Sequence, residues 1–200
     1  FSRDNVDGDA YQWVRSGTGL NGPGSAFMDF YDATAGTIDN LYTPLVDFTT
    51  AVSGTLEFDV AHAYYGAGYE DHMKVNLSTD CGNTWTNIYD KIDPALSTIT
   101  YNTGSWVPST AANWRHEIID LTSYVGSTVL IQFQAISGYG NTLYLDNINI
   151  NSVMTGITNV SSSKEISLYP NPSNGQVFLK VNFAQPQNIN VTVTNPLGAV

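Results

Sequence analysis

The sequence predicts an all-β chain. Residues 1–152 read as a jelly-roll β-sandwich, residues 153–164 as a linker, and residues 165–200 as part of a second, small β-sandwich. Three observations carry this reading. Residues 1–150 break into short runs in which apolar and polar residues alternate, with turn clusters between them and no helical period of useful length. The composition is rich in Tyr, Thr, Asn and Gly, the profile of a pleated surface rather than a helical one. Finally, Pro170 and Pro172 stand one residue apart among Asn171, Ser173, Asn174 and Gly175, a stretch that no helix or central strand can cross.

Taken in order, the alternating runs place strands at 26–31, 54–62, 72–78, 84–89, 114–121, 128–135 and 143–150. Leu56, Phe58 and Val60 alternate with Glu57 and Asp59, and Met73, Val75 and Leu77 with Lys74, Asn76 and Ser78. Val129, Ile131, Phe133 and Ala135 alternate with Leu130, Gln132 and Gln134. One apolar and one polar row per strand is the pattern of antiparallel sheets stacked face to face, with one side of each sheet in water. The stretch after Asn151 loses the alternation and gains serine, which marks the linker. Beyond the double-proline turn, Val177, Leu179, Val181 and Phe183 start a new alternating run.

Composition narrows the function classes. Apolar residues make up 42% of the chain and charged residues 12%, a balance that folds rather than staying disordered. A net charge of −11 repels phosphate backbones and anionic lipid, so no nucleic-acid partner is expected. Apolar runs fall short of the roughly 18–20 residues of a membrane helix, so no transmembrane segment is expected. One cysteine, Cys81, rules out an internal disulfide framework. The chain starts at Phe1 without a signal peptide and reads as a segment of something longer.

Two patterns bear on chemistry. Asp4, Asp7 and Asp9, with Asn5 and Gly8 between them, crowd hard oxygen donors onto one turn, as Ca²⁺ requires. The spacing is not that of an EF-hand, and a solvated Asx-rich turn is the plainer alternative. Tyr64, Tyr65 and Tyr69, then Glu70 and Asp71, form an aromatic loop with carboxylates beside it. A second loop, Ser137-Gly138-Tyr139-Gly140-Asn141, could face it. Such residues suit stacking on sugar rings with carboxylates to their hydroxyls, although tyrosines that cap the sandwich explain the same pattern.

The histidines give no zinc motif. His116-Glu117 begins like His-Glu-x-x-His, but the fifth position is Asp120 and the segment reads as a strand. His62 and His72 stand on different strands without a neighbouring Cys or His, so ordinary structural histidines are expected. Hydrolase machinery is not evident either. There is no Gly-x-Ser-x-Gly, adjacent Asp71 and His72 point to opposite faces of one strand, and Cys81 falls in a turn with no neighbouring base. No catalytic residue is assigned, and the chain is expected not to be an enzyme.

Two family resemblances add to this. Asp4–Asp9 followed by Tyr11-Gln12-Trp13, then Ser78-Thr79-Asp80-Cys81-Gly82-Asn83-Thr84-Trp85, then Leu143-Tyr144-Leu145-Asp146-Asn147-Ile148, resemble in that order the cleaved-adhesin or choice-of-anchor family of jelly rolls, related to MAM-type domains. That resemblance implies an adhesion module with structural calcium between the early acidic turn and the aspartate of the last strand. It carries over to Asp7 or Asp9 and to Asp146, with Asn147 as a further candidate. Tyr169-Pro170-Asn171-Pro172-Ser173-Asn174-Gly175, followed by a strand and by Asn190–Gly198, resembles the opening of a type A C-terminal sorting domain. Tyr169, Pro170, Asn171, Pro172 and Gly175 are its motif residues here. The implied partner is the type IX (Por) secretion machinery, and the implied location is outside the cell or on the outer-membrane surface of a Gram-negative bacterium. The combined expectation is a non-catalytic accessory or adhesion module binding a glycan or an extracellular protein. Two alternatives stand beside it: the C-terminal part of a secreted pappalysin-like zinc metallopeptidase, or a structural spacer without a ligand.

Overall fold

The computed structural model describes residues 1–154, 166–169 and 178–181. The chain forms two compact units, Phe1–Met154 and Thr155–Val200. In the first, one sheet has the order β1 (Ser2–Asn5), β4 (Ile38–Tyr42), β10 (Thr128–Ile136), β7 (His72–Ser78), β8 (Thr86–Ile92), with β5 (Val46–Asp47) also on β10. The other has the order β2 (Val14–Ser16), β3 (Ser25–Asp29), β11 (Thr142–Met154), β6 (Ala51–His62), β9 (Arg115–Asp120). Every named pairing in both sheets is antiparallel. The quartets β4-β10-β7-β8 and β3-β11-β6-β9 have the strand order of the two four-stranded sheets of a jelly roll. All-β sandwich architecture is therefore the fold of this unit.

The core lies between the sheets and follows the alternation. Leu56, Phe58 and Val60 of β6 face Met73, Val75 and Leu77 of β7 and Val129, Ile131 and Phe133 of β10, all essentially fully buried. Phe58 anchors it, edge-on to Phe133 at 5.4 Å and to Tyr89 at 5.5 Å between ring centroids. At the open edges of the two sheets, Glu117 of β9 accepts from Lys91 Nζ at 2.6 Å and Tyr89 OH at 3.1 Å, both of β8, and from Arg115 Nε of its own strand at 2.7 Å. Burial opposes ionisation of Glu117, but the Lys91 and Arg115 bonds outweigh it and hold the carboxyl below its ordinary range.

The structure departs from the sequence expectation in three places. Strands β1, β2, β4 and β5 carry no clear alternation. β4 is the informative case: its outward residues Asn40 and Tyr42 join a side-chain ladder across the sheet. Gln132 Nε2 donates to Tyr42 OH at 3.2 Å, Asn76 Nδ2 to Gln132 Oε1 at 2.8 Å, and Gln134 Nε2 to Asn40 Oδ1 at 3.2 Å. Second, the outer face of the β3-β11-β6 sheet is not wet. The long β8–β9 connection folds over it, so that Ala61, Ala63, Trp106 and Tyr144 form a second buried cluster with Phe27, Ile99 and Trp114 against it. Third, β11 continues through Met154, so residues 153 and 154 belong to the sheet rather than to the linker.

In the second unit, β12 (Ile166–Tyr169) pairs antiparallel with β13 (Phe178–Val181), Tyr169 opposite Phe178. Of the residues expected to form a sorting motif, Tyr169 closes β12; Pro170, Asn171, Pro172 and Gly175 lie outside the described residues.

Candidate functional site

At the pole where β10 ends and β11 begins, several connections converge. They are the turn after β3, the β6–β7 loop, the start of the β8–β9 loop and the short β10–β11 loop. Tyrosines from four of them meet. Ring centroids run from Tyr31 to Tyr65 at 6.2 Å, Tyr65 to Tyr69 at 4.9 Å and Tyr69 to Tyr139 at 6.3 Å. The Tyr101 ring lies 3.1 Å from where a Cβ on Gly66 would stand. Tyr69, Tyr101 and Tyr139 are 40%, 69% and 50% exposed, so the crown offers aromatic faces to solvent. Of the expected residues, Tyr65, Tyr69 and Tyr139 are brought together, and Tyr31 and Tyr101 join them from segments that sequence reading did not connect. Tyr64 contributes through its main chain, its carbonyl accepting from Asn102 N at 2.8 Å. Glu70 stays beside the crown, where Oε1 caps Gly68 N at 2.9 Å.

Asp71, a residue expected at the ligand, has no exposed surface to offer one. It is fully buried beneath the crown, where its carboxylate accepts from Gly138 N at 2.8 Å, Gly140 N at 3.2 Å and Asn141 N at 2.7 Å. Those three donors wrap the β10–β11 loop around one carboxylate and hold Tyr139 at φ 60°. The wrap is tight. A Cβ on Gly138 would lie 2.2 Å from Glu70 O, and one on Gly140 2.3 Å from Asp71 Oδ2. Burial pushes the Asp71 carboxyl up to about 6, against the lowering effect of His62 and the Asn141 and Gly138 amides.

Below Asp71 the site closes on a histidine. His62 Nε2 lies 2.9 Å from Asp93 Oδ2 and 3.6 Å from Asp71 Oδ2, and its Nδ1 lies 2.9 Å from Thr142 O. All three side chains are 0% exposed. Asp93 also accepts from Asp71 N at 3.2 Å and from Ser97 Oγ at 2.5 Å. Burial opposes a charge on His62, yet the Asp93 bond and the two carboxylates raise its pKa overall. His72 instead meets Asp90 at 2.5 Å, and His116 meets Asp59 at 2.9 Å, at more open positions on the outer faces. Arg115–Asp120 is a strand, which removes any helical zinc-peptidase reading of His116-Glu117.

The acidic turn gathers around a residue the sequence reading missed, Asp39 of β4. Asp39 shares the inward row with Leu41 and is 1% exposed. Burial, then the neighbouring Asp9, Asp7 and Asp4 charges, push its carboxyl up to about 7. Asp7 Oδ2 accepts from Ile38 N at 2.5 Å, and Asp9 Oδ1 from Tyr11 N at 2.8 Å. Asp9 Oδ2 and Asp39 Oδ1 are buried without a hydrogen-bond partner. Those two oxygens are open to a hard cation, although among the described residues only the ligand atoms of His62, Asp71 and Asp93 gather as a group of three, within 4.8 Å of one another.

Asp146 stands on the other sheet. Its Oδ2 accepts from Leu20 N at 2.7 Å and Asn21 N at 3.3 Å, and its Oδ1 from Asn147 N at 2.8 Å. Asn147, at φ 50° in the β11 bulge, donates from Nδ2 to Asp59 Oδ2 at 2.7 Å. These contacts fasten the 19–21 turn and the bulge, apart from the Asp39 cluster. Cys81 is exposed in the β7–β8 turn at φ 60°.

No protein-family model matches the chain, and no curated protein matches it. Among solved structures, the K3 cleaved adhesin domain of Lys-gingipain (Kgp) from Porphyromonas gingivalis W83 aligns with a TM-score of 0.56. It is 17% identical, over 76% of this chain and 91% of that one. The K1 domain of the same protein aligns at 0.51 and 19% identity, over 78% and 90%. The K2 domain aligns at 0.50 and 16% identity, over 76% and 89%. What these likenesses establish is a shared fold: the sandwich of this chain is built like a cleaved adhesin domain.

Proposed function

We propose that the sandwich is a non-catalytic binding module of a secreted or cell-surface protein, and that its tyrosine crown takes a glycan. The observation that carries this reading is the run of four tyrosine rings from three connections, the loop of Tyr139 being fastened to the buried Asp71 carboxylate. Partly exposed phenol rings present apolar faces to the C–H surfaces of a sugar and hydroxyls to its polar edge. The likeness to adhesin domains supports a binding role over a reaction. The resemblance of residues 165–200 to a sorting domain supports export by the type IX route to the surface of a Gram-negative cell. The acidic turn, with Asp4, Asp7 and Asp9 around Asp39, supports a structural Ca²⁺ there.

The test of the crown is a glycan array probed with the whole chain, followed by calorimetry on the sugars retained. Tyr69→Ala and Tyr139→Gly should each weaken binding about 3–10-fold, the value of one aromatic contact. A chain that retains no glycan, or binds sugars equally well without those rings, overturns the reading in favour of a protein ligand or a spacer. For calcium, the test is melting in EDTA against ~1 mM Ca²⁺. A site with Kd near ~10 μM adds about 2.7 kcal/mol, or roughly 5–10 °C. Asp39→Asn should abolish that shift, and no shift in the parent chain removes the calcium assignment.

A further inference from the structure

We propose that the buried His62–Asp71–Asp93 cluster is a structural binding site for a divalent transition ion of the zinc class, set beneath the crown. It concerns the crown's foundation and stands whether or not the crown takes a glycan.

The argument starts from the tautomer. His62 Nδ1 lies 2.9 Å from the Thr142 carbonyl, which can only accept, so Nδ1 carries a proton. In a neutral ring Nε2 is then a bare lone pair. It points at Asp93 Oδ2, 2.9 Å away, and at Asp71 Oδ2, 3.6 Å away. Both carboxylates are held as acceptors, Asp71 by three main-chain N–H groups and Asp93 by Asp71 N and Ser97 Oγ. Three electron-rich atoms facing one another at zero exposure repel, so something positive belongs between them.

Charge distinguishes the two candidates. A proton on Nε2 leaves one positive ring against two carboxylates, a net negative charge at zero exposure. A divalent ion leaves the site neutral, which is what burial favours. Geometry agrees. The three donor atoms lie within 4.8 Å of one another. Ligand–ligand edges in a tetrahedral site with bonds of ~2.0 Å are about 3.3 Å, and the observed 2.9 and 3.6 Å bracket that value. One imidazole and two carboxylates make a borderline donor set suited to zinc. Ca²⁺ would require six to eight oxygens. The supporting bonds are those of a metal histidine and its carboxylates: Nδ1–H on a carbonyl, and main-chain N–H groups on the acids.

Such an ion would join the end of β6, the residue before β7 and the start of the β8–β9 connection. Because Asp71 also carries the β10–β11 loop, the ion would fix the seat of Tyr139.

The experiment uses the full chain with His72→Gln and His116→Gln, which removes the two more accessible imidazoles. It is stripped with dipicolinate, reloaded with zinc and desalted. Elemental analysis should find one zinc per chain, and melting should rise by 5 °C or more over the stripped form. Excess Ca²⁺ should not displace the zinc, which separates this site from the Asp39 turn. Asp93→Asn should weaken zinc affinity at least tenfold. His62→Gln removes a buried, doubly bonded ring and endangers the fold itself, so the decisive readout is the ¹⁵N spectrum of the His62 ring in the otherwise native chain. An Nε2 resonance shifted by zinc supports the site. Absence of retained zinc, or an imidazolium with both nitrogens protonated in the presence of equimolar zinc, shows that a proton alone fills it and overturns the proposal.

Discussion

Glu117→Gln tests how the open edges of the sandwich are closed. The carboxylate is 14% exposed and takes two charged donors, Lys91 at 2.6 Å and Arg115 at 2.7 Å, which are 30% and 32% exposed. A hydrogen bond to a buried charged group is worth about 1.5–3 kcal/mol, and an exposed ion pair about 0.2–1 kcal/mol. A pair of partly screened bonds falls between, at about 2 kcal/mol in total. For a unit of this size that is a melting decrease of about 4–8 °C. The pH dependence follows from the lowered carboxyl. A group whose folded pKa lies below its unfolded value contributes stability above the unfolded pKa, about 4.3, and loses it as pH falls through the folded one. The gap between parent and Glu117→Gln should therefore be full at pH 7 and should narrow steadily below about pH 4. Urea titration followed by near-UV circular dichroism at pH 7 and at pH 3.5 measures both. A gap under about 0.5 kcal/mol at pH 7, or one unchanged at pH 3.5, would refute the clasp.

Three further outcomes are expected. Phe58→Ala removes a ring at 0% exposure with two edge-on partners and should cost about 3–5 kcal/mol in the same titration. Gly140→Ala puts a Cβ 2.6 Å from Tyr69 O and 2.3 Å from Asp71 Oδ2, so the loop must shift. It should lower the melting temperature by several degrees and change the tyrosine near-UV signal, while a neutral outcome would mean the loop is not seated on Asp71. Asp39→Asn concerns a carboxyl raised to about 7, a shift that favours the protonated folded state and drains stability as pH rises from about 4 to 7. The full shift corresponds to about 4 kcal/mol; halved for screening by the nearby surface, it leaves about 2 kcal/mol. In EDTA the variant should melt higher than the parent at pH 8 and no higher at pH 4. Equal melting at both pH values would contradict the burial of that charge.

The central strands were legible because burial on one face writes itself into the sequence with a period of two. β6, β7 and β10 have uninterrupted apolar rows at Leu56, Phe58, Val60, at Met73, Val75, Leu77 and at Val129, Ile131, Phe133. β4 was not legible, because its outward row is amide and phenol and its inward row begins with Asp39. Burial of the outer face of the second sheet left a faint signal: Leu143, Tyr144 and Leu145 are apolar without a gap, as a strand covered on both sides should be. The crown was half legible. A tyrosine-rich loop can be seen in the chain, but that Tyr31 and Tyr101 join it is a property of the fold. The burial of Asp71 could not be read either, since its partners Gly138, Gly140 and Asn141 lie 67–70 residues away. The same holds for His62, whose ring is flanked by an aspartate 31 positions on.

The two longest strands, β6 and β11, run side by side from Met154 opposite Ala51 to Leu143 opposite His62. At about 3.3 Å per residue, β11 separates Met154 from the crown by about 40 Å. The crown and the exit of the last strand are thus opposite ends of one rod. A load applied between them would pull along the strands, across a long ladder that must shear together rather than unzip one bond at a time.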